Sequence, residues 1–298
     1  MKGFLAVTDP YWIDHLRSIN ATEANFWQPR PTRIALAEWT PWIFKVRGTS
    51  LVAGFGFFSY WTIMPLSVAW ETFGPANGAI SYSDMIRRVG GLRRERPIDD
   101  DVGCVALSDV LILDRSDWIA APADWHPNIV RGAGYDLASG EGARIWTQLQ
   151  AFAASQAKST PILSVPGASA LQLISARRGQ GAFRLMVMDA YGRRCAISGE
   201  RTLPALEAAH IRPFAEHQLH EVQNGILMRS DIHKLYDRGL VTVEPDLTFR
   251  VSGSIERDYS NGKIYSELAG RTIASPDDPA MKPNSSALSW HSREVFRP

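Results

Sequence analysis

Short apolar runs separated by polar and turn residues fill the first half of this 298-residue chain. Such runs predict β-strands at residues 4–8, 42–46, 51–58 and 102–113. Helical spacing behind polar or small starting residues predicts helices at residues 11–17, 67–73 and 83–89. Strands mixed with short helices indicate an α+β fold whose first domain, residues 1–150, is a twisted, partly closed β-barrel.

The pattern changes in the middle of the chain. Residues 140–149 have helical spacing, whereas residues 151–170 are rich in Ala, Ser and Pro and have little periodicity, which predicts a linker. A second domain is predicted at residues 171–298. Its ordered part ends near residue 268, and an irregular tail rich in Pro, Ser and Asn follows.

The second domain contains one informative succession of elements. Residues 205–211 predict a strand, 213–223 a polar loop and 226–229 a second strand, and Ser230 then caps a helix that ends at Gly239. On that helix His233 and Asp237 are four residues apart and share one face, so both could ligate one divalent cation. His210 is expected on the facing strand.

The composition indicates the compartment of the protein more clearly than its function. A net charge of +1 neither indicates nor excludes a nucleic-acid partner, so a phosphate-binding surface would have to be local. Two cysteines are too few for a disulfide framework or a four-cysteine zinc site, and each is expected to be a small buried side chain. Neither a signal peptide nor a membrane-spanning run is recognised, and we expect a cytoplasmic protein without a membrane partner.

Five motifs in the second domain occur in a characteristic order: GQGAFR, RCAISG, LEAAHIRP, NGILM and DIHKLYDRG. In this order they resemble the HNH endonucleases of the ββα-metal fold, in the branch of restriction endonucleases. The resemblance implies a catalytic trio in which His210 is the general base, Asn224 braces the loop that carries the base, and His233 ligates a metal. Asp237 matches a position of a further ligand. The implied reaction is hydrolysis of phosphodiesters in double-stranded DNA with Mg²⁺ or Mn²⁺.

The sequence departs from this family at the metal site. Many members have Asp or His directly before the base, whereas this chain has Ala209. Glu207 points to the same strand face and could replace that ligand through its longer reach. The alternative is a site with fewer protein ligands and more waters, which Mg²⁺ tolerates. Because Cys195 has no second cysteine nearby, no structural zinc is expected.

Arginines cluster around the motifs and suit phosphate oxygens. The predicted DNA contacts are Arg212, beside His210, together with Arg178 and Arg184. The alternative for each is a solvated surface charge, and the DNA role is favoured for Arg212. Cutting both strands with one site per chain would favour a homodimer or successive nicks.

The first domain contains FLAVTDPYW, NFWQP, LVAGFGFFSYW and AWETFGPANGA, and this order resembles the PUA-like superfamily, which includes SRA-like readers of modified bases. The resemblance implies a pocket for a flipped base. Its expected aromatic walls and polar readers are Trp27, Tyr60, Trp61, Trp70, Asp9 and Asn25. The alternative is that the aromatic residues are core and Asp9 starts a helix. Gly54 and Gly56 indicate a bulge or a close backbone approach, as in a ligand cleft.

Three functional hypotheses follow. The first is a modification-dependent restriction endonuclease whose N-terminal domain reads a flipped modified base. The second is an HNH effector nuclease switched on by a small-molecule or nucleotide signal. The third is a DNA-binding regulator with a decayed nuclease fold, for which Ala209 is the main argument.

Overall fold

A computed structural model describes residues 1–92, 101–159, 179–213, 221–259 and 262–298, with side chains described outside 157–159. Two compact units make up the chain, Met1–Ala182 and Phe183–Pro298. Both mix strands and helices, in agreement with the predicted α+β class.

The first unit contains seven strands and four α-helices among its described residues. The strands are β1 (Lys2–Thr8), β2 (Ala24–Gln28), β3 (Pro41–Val46), β4 (Leu51–Pro65), β5 (Asp101–Ile112), β6 (Ile119–Ala120) and β7 (Gly132–Asp136). The helices are α1 (Pro10–Ser18), α2 (Leu66–Phe73), α3 (Tyr82–Leu92) and α4 (Gly140–Ser159).

These strands form one open sheet in the order β2-β5-β4-β3-β1-β7, with β6 paired to β4. Only β1 and β3 run parallel, and the other pairs are antiparallel. The described residues form no closed barrel, so the barrel prediction is corrected to an open sheet. The physical reason is that helices cover both faces of the sheet, and every residue of β3 is buried as a result.

Two hydrophobic clusters account for this burial. One packs Trp12, Ile13 and Leu16 of α1 against the sheet, and the other packs Ile145 and Trp146 of α4 against it. With its faces buried in this way, the sheet has no need to close on itself.

The glycines of β4 are required by strand packing. Gly54 has φ +149°, and a Cβ there would lie 2.1 Å from the carbonyl oxygen of Leu111. The register between β4 and β5 shifts between Phe55 and Phe57, that is, at Gly56. The predicted bulge and close approach are therefore confirmed, but the approaching group is the neighbouring strand and not a ligand.

Several boundaries differ from the predictions. The strand predicted to end at residue 58 continues to Pro65, and β2, β6 and β7 were not predicted. Helix α4 extends to Ser159 and so includes residues 151–159 of the predicted linker, while residues 160–170 lie outside the described residues. Alanine has a high helix propensity, which explains why an Ala-rich stretch continues the helix.

The second unit contains four short strands and further helices in its described part. The strands are β8 (Leu206–His210), β9 (Gly225–Arg229), β10 (Val241–Val243) and β11 (Phe249–Val251). The helices are α5 (Gln180–Ala190), which begins in the first unit, α6 (Ser230–Asp237), α7 (Ser254–Tyr259), α8 (Lys263–Ser266) and α9 (Ser285–Trp290).

The two predicted strands and the helix are present in order, while residues 214–220 of the predicted loop lie outside the described residues. Strands β8 and β9 pair antiparallel, and α6 follows β9 directly. Gly239, with φ +69°, ends the helix as expected, and its amide donates to the Tyr236 carbonyl. The predicted cap is wrong by one residue, because Arg229 is the N-cap residue and Ser230 the first residue of the helix.

The end of the chain is more regular than predicted. Helix α9 is followed by a π-helical turn, His291–Val295, and Leu288 and His291 are both buried. The apolar positions 287, 288 and 296 are too widely scattered among Ser and Arg to give a clear helical pattern, which is why the sequence predicts an irregular tail.

No helix among the described residues is both long enough and apolar enough to cross a bilayer.

Candidate active site

His210 is the last residue of β8, and it pairs in register with Gly225 of β9. Its imidazole is half-buried and stacks on the ring of Phe183, with 4.0 Å between centroids and 10° between planes. Gly225 makes room for this stack, since a Cβ there would lie 2.9 Å from the Phe183 ring and 2.5 Å from Val187. The neighbouring strand and helix α5 thus fix the orientation of the predicted base.

Asn224 holds the backbone that leaves the strand after His210. Its Oδ1 accepts from the Arg212 amide at 2.9 Å, and its Nδ2 donates to the Arg212 carbonyl at 3.0 Å. The Asn224 carbonyl also accepts from the Ile211 amide at 2.9 Å. The two bonds to Arg212 depend on the asparagine side chain, whereas the third is between backbone groups.

His233 lies between two carboxylates. Its Nδ1 is 2.7 Å from Oε2 of Glu207 on β8, and its Nε2 is 3.5 Å from Oδ2 of Asp237 one turn along α6. A neutral imidazole that donates its Nδ1 proton to Glu207 has the lone pair on Nε2, beside Asp237. This is the arrangement in which a carboxylate orients a metal-binding histidine.

Within the described residues no group of three or more His, Cys, Asp or Glu side chains is arranged to hold a metal ion. Ala209 is fully buried in the core, so position 209 offers no ligand. Glu207 does reach His233, but it contacts the ring nitrogen opposite to the one beside Asp237. One nitrogen and one carboxylate are therefore grouped as potential donors.

The predicted DNA-binding arginines are placed differently from one another. Arg212 lies over the ring of Trp290, 5.3 Å from its centroid, and its Nη2 donates to the Ser286 carbonyl at 3.4 Å. Arg184 is half-buried and donates to the Leu206 carbonyl at 3.2 Å, so it supports the start of β8. Arg178 lies outside the described residues.

The C-terminal segment supports the site helix, which the sequence did not indicate. The buried His291 ring stacks on Tyr236 of α6, with 3.6 Å between centroids, and its Nε2 lies 3.2 Å from the Tyr236 carbonyl. Its Nδ1 lies 2.9 Å from the Thr242 hydroxyl. Burial lowers the pKa of His291 to about 4, while the hydrogen bond to the Tyr236 carbonyl acts in the opposite direction. His291 is therefore a neutral ring at physiological pH.

A cavity of about 930 Å³ lies within the first unit, and Asp9 and Trp27 line it. Asp9 is also the N-cap of α1, where it accepts from the Tyr11 amide at 2.9 Å, as the alternative interpretation expects. The Trp27 indole donates to the Asn77 carbonyl at 2.9 Å, which fixes its ring at the cavity wall.

The other four predicted pocket residues lie outside this lining, and here the predicted pocket is corrected. Asn25 is fully buried, and its side-chain amide donates to Asn77 Oδ1 at 2.9 Å. Trp61 donates to Gln28 at 3.3 Å, and Trp70 packs on Tyr82. Tyr60 is a residue of β4, opposite Ala106 of β5. Tyr60 and Trp61 are neighbours on β4, and since a strand alternates its side chains between two faces, they are not expected to share one wall.

Comparison with known proteins finds a similarity over the segment that carries this geometry. Residues 195–244 match a family model described as HNH endonuclease, and this range includes His210, Asn224 and His233. The match supports metal-dependent nuclease activity, a hydrolase reaction on nucleic acid. No curated protein matches the chain.

A solved structure that is similar to part of the chain is a single-residue mutant of the ZmASCH protein from Zymomonas mobilis. The identity is 13% and the TM-score 0.35, over 50% of this chain and 99% of that one. A likeness at this level assigns neither fold nor ligand, and the PUA-like character of the first domain stays a prediction.

Proposed function

We propose that this protein is a metal-dependent DNA endonuclease with His210 as general base and His233 and Asp237 as the metal ligands. The observation that carries the proposal is the position of His233, held through Nδ1 by Glu207 with Nε2 beside Asp237, on the helix that follows the His210 strand pair. A base and a cation site on facing elements are the parts that hydrolysis of a phosphodiester requires.

The roles of the side chains follow from their contacts. His210 would take the proton of the attacking water, and its stack on Phe183 limits the rotation of the ring. Asn224 would keep the backbone after His210 in place through its paired bonds to Arg212. Such positioning matters because small displacements of a reacting group cost large factors in rate.

The residues present fit a hard divalent cation. One imidazole nitrogen and one carboxylate are donors that Mg²⁺ and Mn²⁺ accept, and Mg²⁺ usually keeps several waters in its shell. When bound, the cation would supply stabilisation of charge on the phosphate and leaving oxygen. Glu207 then acts as a positioning residue, because it faces the nitrogen of His233 that is turned away from Asp237.

Cleavage of two supercoiled plasmids, one plain and one carrying modified bases, tests the proposal, and the rates compared are those on whichever plasmid the wild type cuts faster. Wild type should cut with Mg²⁺ or Mn²⁺ and not with EDTA, and His210→Ala should cut about 10²–10⁴-fold more slowly, the usual contribution of a general base. His126→Ala, at an exposed histidine of the first unit, is the matched control and should cut like wild type. Equal rates for His210→Ala and wild type would refute the assignment of the base.

We further propose that cleavage depends on base modification, with the first unit as the reader. The cavity lined by Asp9 and Trp27 supports this, because it combines aromatic walls with a polar group. Gel shifts in EDTA on modified and plain duplexes test it. Stronger retention of the modified duplex is expected, and equal retention would remove the reader while leaving the nuclease proposal intact.

A further inference from the structure

The cavity of the first unit carries a concentration of positive charge that the base-reader hypothesis does not explain. Among the described residues, one acidic side chain, Asp9, lines it, against six arginines: Arg30, Arg33, Arg47, Arg87, Arg88 and Arg131. These arginines come from separate parts of the chain, including the segment after β2, helix α3 and the residue before β7. The fold, and not a local run of basic sequence, gathers them.

Contacts with carboxylates neutralise only part of this charge. Arg47 lies 3.5 Å from Asp9, and Arg87 and Arg88 both pair with Asp84. The other three arginines make no ion pair in the part of the chain that the structure describes. Since Asp9 itself is engaged by the Tyr11 amide as well as by Arg47, the cavity keeps a cationic rim.

The three arginines without a carboxylate lie near one another. Arg131 donates to the Thr32 hydroxyl at 2.7 Å, and Thr32 lies between Arg30 and Arg33 in the sequence. Among the described residues, neither Arg30 nor Arg33 has a side-chain acceptor, and both are exposed. Exposed guanidinium groups without an acceptor can donate to the oxygens of a phosphate.

The rest of the lining is aromatic and apolar. It includes Trp27 and Phe26, both half-buried, and the buried Trp42, whose ring lies 5.3 Å from that of Phe26. The indole of Trp27 is held by its hydrogen bond to the Asn77 carbonyl, so it is a fixed surface on which a planar ring could stack. The volume of about 930 Å³ is within the usual range for small-molecule sites.

We infer that this cavity binds a nucleotide, with the ring against the Trp27 wall and the phosphate held by Arg30, Arg33 and Arg131. This inference deepens the proposed function. That the nucleotide belongs to a DNA strand rests on the proposed nuclease activity. The same chemistry is offered by a free nucleotide, which would instead fit a nuclease switched by a soluble signal.

Anisotropy of a fluorescein-labelled DNA duplex, measured with the full chain in EDTA, tests the inference. The Arg30→Gln/Arg33→Gln double variant should bind at least about 10-fold more weakly, and the slope of log affinity against log salt should become shallower by about one for each phosphate that is no longer bound. Arg115→Gln is the matched control, since Arg115 is an exposed arginine of the same unit outside the cavity lining. It should bind like wild type.

Two further measurements distinguish a free nucleotide from a nucleotide in a DNA strand, and the role of Trp27 from that of the arginines. Competition by dAMP at concentrations where inorganic phosphate does not compete indicates a site for a free nucleotide; competition by oligonucleotide alone indicates a nucleotide in a strand. Trp27→Ala should weaken dAMP or oligonucleotide binding and leave phosphate binding unchanged.

The inference is overturned if the double glutamine variant binds with wild-type affinity and salt dependence. If that variant fails to fold, Arg30→Lys/Arg33→Lys keeps the charge and should retain most of the binding, whereas Trp27→Ala alone should still lose it. If the wild type binds DNA through these arginines but neither it nor any variant cuts DNA, the nuclease proposal is refuted and the nucleotide site is retained.

Discussion

The two units build their candidate sites in opposite ways. In the second unit the proposed base, brace and metal ligands lie between residues 210 and 237, on one strand pair and one helix. In the first unit the cavity lining extends from Phe4 to Arg131. A site built by local elements appears in the sequence as a motif, whereas one built by distant segments does not. The contrast predicts that single changes act more sharply in the second unit.

The largest expected effect concerns the orientation of His233. Glu207→Ala removes the acceptor at Nδ1 and should raise the Mn²⁺ concentration needed for half-maximal cleavage by about 10–100-fold, the usual effect of losing a partner of a ligand histidine. Glu207→Gln keeps an acceptor oxygen and should recover part of the loss.

The control for this experiment is Glu256→Gln, at an exposed carboxylate of α7. An unchanged metal requirement in Glu207→Ala would show that the Glu207 carboxylate does not orient His233. The sharper response to single changes that we expect in the second unit would then be contradicted.

A smaller effect is expected where Phe183 supports His210. Gly225→Ala places a methyl group 2.5 Å from Val187 and 2.9 Å from the Phe183 ring, so it should destabilise the second unit by about 1–3 kcal/mol, as overpacking of a core does. Hydrogen exchange of the β8 and β9 amides measures this loss.

Gly253→Ala is the matched change, because a Cβ there meets nothing within 4 Å. Its exchange rates should stay near those of wild type. If the β8 and β9 amides of Gly225→Ala exchange as slowly as those of wild type, the packing around Phe183 adapts to the added methyl group without loss of stability. The sharp response expected of this unit would then be contradicted.

The third expected effect is confined to acidic pH, where the stability of the second unit depends on His291. Because burial lowers its pKa to about 4 from an unfolded value near 6.5, the unfolded chain binds more protons between these values. The stability contribution of the neutral ring is therefore complete above about pH 6.5 and is lost as the pH falls toward 4.

Urea unfolding of the second unit at several pH values should show this decline, and His291→Gln, which does not titrate, should flatten it. The same slope in both proteins would exclude His291 as its source.

The sequence indicated the framework of both units to different extents. Apolar runs predicted β1, β3 and β5 within a residue or two, but β2 was missed because residues 24–28 lie among polar residues and resemble a loop. The C-terminal turn was missed for a similar reason: His291 is buried by contacts with residues far away in sequence, including Tyr236 of α6.

The sequence alone determined the order of the two strands and the helix in the second unit and the spacing that places His233 and Asp237 on one helix face. The periodicity of side chains along a helix or a strand depends on neighbouring residues, so a short stretch of sequence specifies it. Only the tertiary structure decided that Phe183 lies under His210, that Glu207 faces Nδ1 of His233, and that six arginines surround one cavity. Those contacts depend on how separate elements pack, and no local pattern encodes which distant side chains meet.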